Sequence, residues 1–318
     1  MVGSAICKVL AKKGFNAKNK NLITTSRKYL DLENEINVES WFRLNKPDVV
    51  IIAAAQVGGI MSNQKMPVDF LLKNLKIQNN LIEQSYKNGV KNLIFLGSSC
   101  IYPKFCKQPI KEEYLLESSL EETNQWYAIA KIGGIKLCEA YKNQYNFDTI
   151  SLMPPNLYGP KDNYNLENCH VLPALIRKFY EAKINKEKNV ICWGSGKPLR
   201  EFLFVEDFAD ACIFILENWL TKEIKMPKYT NGADINWINV GSDFEISIKD
   251  LTYKVADIIG FQGKVVWDKT KPDGTLRKKL DTSYLKKIGW NAKTNLDNGI
   301  SLTLKSFKNE LFSGSLRS

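Results

Sequence analysis

The chain has little of several residue types that would point to particular classes of protein. It contains a single histidine, His170, and seven cysteines without a Cys-x-x-Cys pair, so the spacing predicts no metal site. No apolar run reaches the roughly 20 residues of a membrane-spanning helix, and the first residues have none of the basic and apolar regions of a signal peptide. We therefore expect a cytoplasmic protein with reduced thiols and no association with a membrane.

The chain also lacks any basic block, although its net charge is +11. The lysines are scattered, and no nucleic-acid-binding motif accompanies them, so we expect no nucleic acid partner. An excess of positive charge suits an anionic ligand such as a nucleotide diphosphate sugar. A surface rich in solvated lysines accounts for the same total equally well.

The first half of the chain alternates apolar, strand-like runs with helical periods. The predicted strands are 22–25, 48–55, 92–96 and 149–153, and the predicted helices are 38–44, 67–88 and 127–145. Continuous apolar strands separated by helices indicate a parallel sheet covered on both faces. The sequence therefore predicts an α/β fold with a doubly wound, Rossmann-like sheet.

After Gly159 the pattern becomes irregular. Short strands, predicted at 189–193 and 264–267, alternate with charged helices, and the polar segment 222–236 reads as a mobile surface insertion. We expect a nucleotide-binding domain over residues 1–158. A smaller α+β substrate domain would follow over residues 159–318, with short segments returning to the sheet.

The glycine-rich turn that opens a nucleotide-binding fold is represented only by Gly3. Such folds begin with a strand and a turn whose amides, with the next helix N-terminus, hold a pyrophosphate. Gly3 stands directly before the apolar, cationic helix predicted at 5–13, as the last glycine of that turn would. The sequence thus predicts a sheet without its first strand. Four buried apolar residues are worth roughly 6–12 kcal/mol, so we expect this chain to be less stable and to bind cofactor more weakly than one with that strand.

The strongest chemical signal is a serine after a strand, Ser98, followed by the pair Tyr127 and Lys131. On a helix these two side chains share one face, and an ammonium beside a phenol is expected to lower the pKa of the tyrosine from about 10. The tyrosine can then exchange a proton with a substrate oxygen that Ser98 also holds. This set predicts carbonyl reduction with a nicotinamide cofactor.

Six segments together resemble the extended short-chain dehydrogenase/reductase family, and within it the branch that makes GDP-L-fucose. They are 96–103, 127–132, 155–160, 193–196, 200–202 and 271–275. The resemblance implies an NADPH-dependent conversion of GDP-4-keto-6-deoxy-D-mannose, by 3,5-epimerisation and then 4-keto reduction. It also implies a homodimer paired through the helices at 67–88 and 127–145. The alternatives are another nucleotide-sugar epimerase of the same family and a truncated, inactive paralogue.

The resemblance also assigns roles to individual residues. The catalytic group comprises Ser98, Cys100, Tyr127, Lys131 and His170, in which Cys100 removes a proton from the sugar and His170 returns one to the opposite face. The cofactor group comprises Gly3, Arg27, Leu96, Gly97, Ser98, Ser99, Lys131, Pro154, Pro155, Asn156, Leu157 and His170. Arg27 follows a predicted strand where an acidic residue would favour NAD, so it favours NADP(H). The substrate group comprises Lys178, Trp193, Arg200 and Asp273.

Overall fold

The computed structural model describes residues 1–19, 21–271 and 273–317. Its helices are α1 (Val2–Lys12), α2 (Glu35–Asn45), α3 (Ile60–Lys65), α4 (Asn74–Lys87), α5 (Gln125–Tyr145), α6 (Val171–Ile184), α7 (Val205–Leu220), α8 (Ile248–Ile259), α9 (Ser283–Lys287) and α10 (Leu296–Phe312). Its strands are β1 (Val49–Ile52), β2 (Asn92–Leu96), β3 (Asp148–Met153), β4 (Asn156–Tyr158), β5 (Asn189–Trp193), β6 (Leu199–Phe204), β7 (Trp237–Asn239), β8 (Glu245–Ser247), β9 (Lys264–Asp268) and β10 (Arg277–Lys278). In this described part of the chain, no helix is long and apolar enough to cross a membrane.

A parallel sheet in the order β1-β2-β3-β7 forms the centre of the fold. All five residues of β2 are buried, as expected of a parallel strand covered on both faces. One core cluster contains apolar residues of α4 and α5 together with Leu93 and Phe95 of β2. A second contains residues of α1 and α7 together with Ile94 and Leu96. The alternating faces of β2 thus enter two cores, which confirms the doubly wound α/β fold.

The strand predicted at 22–25 is wrong. This segment is irregular, and the side chain of Ile23 is 38% exposed. Among the described residues β1 pairs only with β2, and the segment 22–25 makes no ladder hydrogen bonds to the free edge of β1. The same free edge leaves Val49, Val50 and Ile51 only partly buried, whereas Ile52 is 2% exposed.

The other predicted elements of the nucleotide-binding half are confirmed with shifted ends. The strand predicted over 48–55 ends at Ile52. The helix predicted over 67–88 contains a π-helical turn, Asp69–Lys73, directly before α4. Asn74 follows this turn and exchanges two hydrogen bonds with the backbone of Gln56. The π turn therefore coincides with the place where the helix is tied to the chain that follows β1.

The second half of the chain builds two smaller sheets and a third core. One sheet has the order β10-β6-β4 with β8 antiparallel to β6, and the other pairs β5 with β9. Two elements return to the first half: β7 pairs with β3, and α7 packs against α1. The segment 222–236 is fixed to the core at several points, because Ile224, Met226 and Tyr229 pack against buried clusters and Ile235 is 2% exposed.

Candidate active site

A deep cavity of about 460 Å³ opens at the carboxyl ends of β1, β2 and β3. Ligands of open parallel sheets bind at this edge. The cavity walls are formed by the residues that follow these strands, by one face of α5 and by the segment that leads into α6. All the predicted catalytic, cofactor and substrate residues line this cavity except Gly3 and Arg27.

The two exceptions differ in position. Gly3 lies in α1 beside the cavity wall, because a Cβ placed on it would approach the Cβ of Ala53 to 3.7 Å. The preceding residues, Met1 and Val2, do line the cavity. Arg27 lies in an exposed turn away from the cavity lining, so the geometry gives its predicted role no support.

The turn after β2 positions the serine and the cysteine. Gly97 has no room for a side chain, because a Cβ would overlap the Met153 side chain. The backbone N–H of Ser99 donates to the carbonyl of Pro154 at 2.9 Å. The Oγ of Ser98 accepts from the backbone N–H of Cys100 at 3.3 Å and caps the short 3-10 turn Ser99–Ile101. The turn therefore places Ser98 and Cys100 together in the cavity.

The Lys131 side chain is held in a buried position on α5. It is 3% exposed, and its Nζ donates to the carbonyl of Leu96 at 2.8 Å. The same Nζ lies 4.7 Å from the ring centroid of Phe95 and 5.9 Å from that of Tyr127. Burial lowers the pKa of Lys131 to about 8, and the nearby Cys100 opposes this change. Tyr127 and Lys131 thus share one helix face, as the spacing predicts.

The predicted lowering of the Tyr127 pKa is wrong for this structure. Burial raises the pKa well above its ordinary value, the nearby Cys100 raises it further, and a hydrogen bond with Ser98 opposes both. The cost of moving a phenolate out of water is the largest of these contributions. Tyr127 is therefore a neutral phenol at pH 7 and carries the proton that a donor needs.

The two predicted epimerisation residues occupy the same cavity. Cys100 is 9% exposed, and burial raises the pKa of its thiol, while Lys278 gives the largest opposing effect. His170 immediately precedes α6 and is exposed to the open space of the cavity, and desolvation by the surrounding cavity wall lowers its pKa. Both groups are therefore predominantly neutral at pH 7, and a thiolate at Cys100 depends on nearby positive charge.

The predicted substrate residues form the far end of the cavity. The Nζ atoms of Lys178 and Lys271 lie 5.2 Å and 5.6 Å from the ring centroid of Trp193. The carboxylate of Asp273 accepts from the backbone N–H and the Oγ of Ser195, both at 2.7 Å. Asp273 therefore ties its own loop to the turn that carries Trp193. The Trp193 indole remains 46% exposed and open to a ligand.

Sequence reasoning missed Lys278 and Glu121, which also line the cavity. Lys278 in β10 is the register partner of Arg200 in β6, so the two cations lie on one face of neighbouring strands. Burial lowers the pKa of Arg200 to about 10, with Glu121 and Asp273 opposing, and it also lowers the pKa of Lys278. No local motif marks these residues, since β10 is two residues long and Glu121 lies in an irregular segment.

The cavity fits a dinucleotide. Lys131 uses one of its three N–H groups on Leu96 among the described residues, which leaves donors for hydroxyl groups. The first residues of α1 line the cavity, and a helix N-terminus favours phosphate. The walls near the strand ends carry small residues, from Ala53 to Ala55 and at Gly97, which allow close approach of a planar ring.

Comparison with known proteins gives consistent matches. The profile of the "NAD dependent epimerase/dehydratase family" matches residues 1–225. GDP-L-fucose synthase 1 of Arabidopsis thaliana is 51% identical over 303 residues, which cover 95% of this chain and 88% of that protein. A GDP-6-OMe-4-keto-L-xylo-heptose reductase from C. jejuni is 35% identical, with a TM-score of 0.89 over 97% of this chain and 95% of that chain. A GDP-L-fucose synthetase from Naegleria fowleri bound to NADP is 28% identical, with a TM-score of 0.86 over 100% of this chain and 92% of that chain.

Proposed function

We propose that the chain converts GDP-4-keto-6-deoxy-D-mannose to GDP-L-fucose with NADPH. It belongs to the NAD dependent epimerase/dehydratase family and, within that family, to the GDP-L-fucose synthases. The reaction has two steps, epimerisation at C3 and C5 and then reduction at C4. The observation that carries the proposal is that one cavity holds both a Ser-Tyr-Lys set and the pair Cys100 and His170.

The first step uses the acidity of the protons next to a ketone. Inverting C3 or C5 requires a base on one face of the sugar and an acid on the other. Cys100 acts as the base once its thiol is deprotonated, with Lys278 as the cation that most favours the thiolate. His170, in its imidazolium form, delivers a proton to the opposite face and becomes the neutral imidazole, while Cys100 becomes the thiol. The C4 oxygen carries the developing charge, and the hydroxyl groups of Ser98 and Tyr127 stabilise it.

The second step reduces the same carbonyl. NADPH, when bound, supplies the hydride for C4. Tyr127 gives its proton to the C4 oxygen, and Ser98 holds that oxygen in place. Lys131 stabilises the phenolate that Tyr127 becomes, because its ammonium lies on the same helix face. At the far end of the cavity, Lys178, Arg200 and Lys278 provide positive charge for the diphosphate.

The two alternatives fit less well. A simple 4-epimerase has no use for a cysteine base beside the Ser-Tyr-Lys set. A degraded paralogue is disfavoured by 51% identity over 95% of the chain. The reductase from C. jejuni has a different sugar in its name, and its 35% identity is lower than that of the Arabidopsis protein.

The direct test incubates the purified protein with GDP-4-keto-6-deoxy-D-mannose and NADPH in D₂O. We expect NADPH oxidation, GDP-L-fucose as product and deuterium at C3 and C5. Cys100→Ser should abolish deuterium uptake, and any remaining hydride transfer should give an unepimerised 6-deoxyhexose. Cys106→Ser is the matched control, because Cys106 lies outside the cavity lining and should leave both steps unchanged. Reduction without deuterium in the wild-type product would contradict the proposal.

We also propose that the protein is a homodimer in the cytoplasm. The faces of the π turn and α5 expose Leu72, Trp126 and Ile129, which are 38–47% exposed, and pairing of these helices across a two-fold axis would bury them. All seven cysteines are free thiols, as in reducing compartments. Light scattering should give twice the chain mass at micromolar concentration, and the double variant Leu72→Glu with Ile129→Glu should give a monomer. A wild-type monomer would rule out the pairing.

A further inference from the structure

Gly59, which follows β1, contacts the segment that carries His170. The backbone N–H of Gly59 donates to the carbonyl of Asn168 at 2.9 Å. A Cβ placed on Gly59 would lie 2.7 Å from the carbonyl oxygen of Cys169. The backbone of Gly59 has φ −71° and ψ 179°, which any residue adopts. Glycine is therefore required here by the space beside Cys169 and not by the backbone conformation.

Both sides of this contact are held in place. On the α3 side, Asn63 is 4% exposed, and its Nδ2 donates to the carbonyls of Gly58 and Gly59, both at 3.0 Å. On the other side, the backbone N–H of Cys169 donates to the carbonyl of Asn165 at 2.8 Å. The carbonyl of Cys169 therefore cannot move away from Gly59 without disturbing a hydrogen-bonded turn.

The contact is transmitted directly to His170. This residue follows Cys169, and its carbonyl accepts the first hydrogen bond of α6, from the N–H of Ala174 at 3.1 Å. Its position is thus fixed by α6 on one side and by the Gly59 contact on the other. Tyr127 and Lys131, which act in the reduction step, are carried by α5. Their positions therefore do not depend on α6 or on the Gly59 contact.

We propose that Gly59 is a positioning residue for epimerisation, which lets the segment before α6 close against α3 and hold His170 in the cavity shared with Cys100. This inference rests on the proposed function for the role of His170. A methyl group at position 59 displaces the Cys169 carbonyl and with it the His170 imidazole. A misplacement of about 1 Å costs on the order of 100-fold in rate. The rate of proton delivery by His170 should therefore fall, whereas the rate of hydride transfer to C4 should not.

The test uses Gly59→Ala, with Gly133→Ala as the matched control. A Cβ at Gly133 would meet the Leu75 side chain at 3.4 Å, and the helical position tolerates alanine. We expect deuterium uptake at C3 and C5 to fall about 10- to 100-fold in Gly59→Ala and to stay unchanged in Gly133→Ala. The oxidation of GDP-L-fucose reverses the reduction step alone, and at saturating NADP⁺, which offsets any loss of the cofactor contact predicted for His170, its rate should stay within about threefold of the wild type in both variants.

A second readout is independent of turnover. His170 is the only histidine in the sequence, so ¹³C-histidine labelling gives one imidazole resonance. In Gly59→Ala the resonance should shift, and the pKa of His170 should move from its lowered value towards the ordinary value of about 6.5. If Gly59→Ala does not fold, Asn63→Ala removes the support of the glycine carbonyls and should give a smaller shift in the same direction. An unchanged His170 resonance and titration would overturn the inference, whereas absent deuterium uptake in the wild type would overturn only the proposed function.

Discussion

The two walls of the cavity are built differently. One wall carries its functional groups on or beside regular elements, because Ser98 stands two residues after β2 and Lys131 projects from α5, where it is 3% exposed. The other wall carries His170 on an irregular segment that depends on contact with Gly59. Spacing along the chain is therefore enough to place Ser98 and Lys131. The position of His170, in contrast, is set only when segments far apart in the sequence come into contact. Each of the following predictions changes one wall or the support behind it.

The largest expected effect comes from Tyr127→Phe, which removes the proton donor from the regular wall. Proton transfer by a positioned side chain is worth about 10²–10⁴-fold, so we expect NADPH oxidation to fall by that factor. Deuterium uptake at C3 and C5 should fall less, since Ser98 still holds the C4 oxygen. Stopped-flow absorbance and NMR of the product measure the two rates.

Phe70 provides the control for packing in this experiment. Its ring centroid lies 6.4 Å from that of Tyr127 in an edge-on arrangement, so Phe70→Leu disturbs the same packing without removing the hydroxyl. Phe70→Leu should retain most of the reduction rate. Near-normal NADPH oxidation by Tyr127→Phe would show that the proton comes from another group.

A smaller effect, on the reactivity of the Cys100 thiol, is expected from Lys278→Met. Of the groups that lower the pKa of Cys100, Lys278 contributes most, so its removal should raise that pKa further. Because the thiolate is the reactive form, alkylation of Cys100 by iodoacetamide at pH 8 should become slower. Mass spectrometry of the peptide that contains Cys100 measures the rate.

Lys279→Met is the matched control for this charge. Lys279 is the next residue in the chain and lies 3.2 Å from Asp243 in an ion pair, outside the cavity lining. Its removal should leave the alkylation of Cys100 unchanged. Equal slowing in the two variants would mean that overall charge, and not the place of Lys278, controls the thiol.

The smallest expected effect concerns the support behind the cavity. Glu112 is 8% exposed and accepts from the backbone N–H of Asn239 at 3.0 Å. Burial raises its pKa from 4.5 to about 7, with the Asn239 hydrogen bond opposing. Between pH 4.5 and 7 the folded state therefore keeps a proton that the unfolded state has lost. The contribution of Glu112 to stability is complete below pH 4.5 and is lost as the pH rises through 7.

Glu112→Gln should remove this dependence. At pH 8 we expect its free energy of unfolding to exceed that of the wild type by about 1–3 kcal/mol, since one pKa unit corresponds to about 1.4 kcal/mol. Near pH 4 the gain should disappear. Urea unfolding at the two pH values measures it, and Glu113→Gln, which breaks a partly exposed ion pair of 3.7 Å with Lys111, should change stability by less than about 1 kcal/mol. A gain that is equal at both pH values would contradict the assigned titration.

Much of the regular wall follows from local sequence. The continuous apolar run before Gly97 gives the buried strand β2, and the four-residue spacing of Tyr127 and Lys131 gives a shared helix face. The placement of Trp193 and Arg200 in the cavity was predicted from the family resemblance. These predictions need only short segments, because each segment carries its own pattern.

The wrong and missed predictions share a physical cause. The segment 22–25 has strand-like residues, but a strand forms only where it pairs with a neighbour, and this segment pairs with none of the described strands. The Tyr127 pKa depends on burial and on the approach of Cys100, neither of which the local spacing shows. The position of Lys278 in the cavity follows from its strand register with Arg200. The role of Gly59 follows from the close approach of Cys169, and both contacts arise only on folding. The glycine pair at 58–59 is a signal that sequence analysis could have used, because paired glycines allow a close approach, but it does not identify Cys169 as the neighbour.

The crossing of α7 and β7 into the first half has a consequence for how the chain can be divided. A break after Tyr158 would leave the amino-terminal piece without the helix that covers α1 and without the strand that pairs with β3. The other piece would keep two small sheets and most of the third core, but α7, with ten buried residues, would lose the α1 side of its packing. Each piece would therefore expose its part of the core cluster that α1, β2, β3 and α7 share, so neither is an independent unit. We expect each fragment to be less stable apart than in the whole chain and to regain stability when the two are mixed.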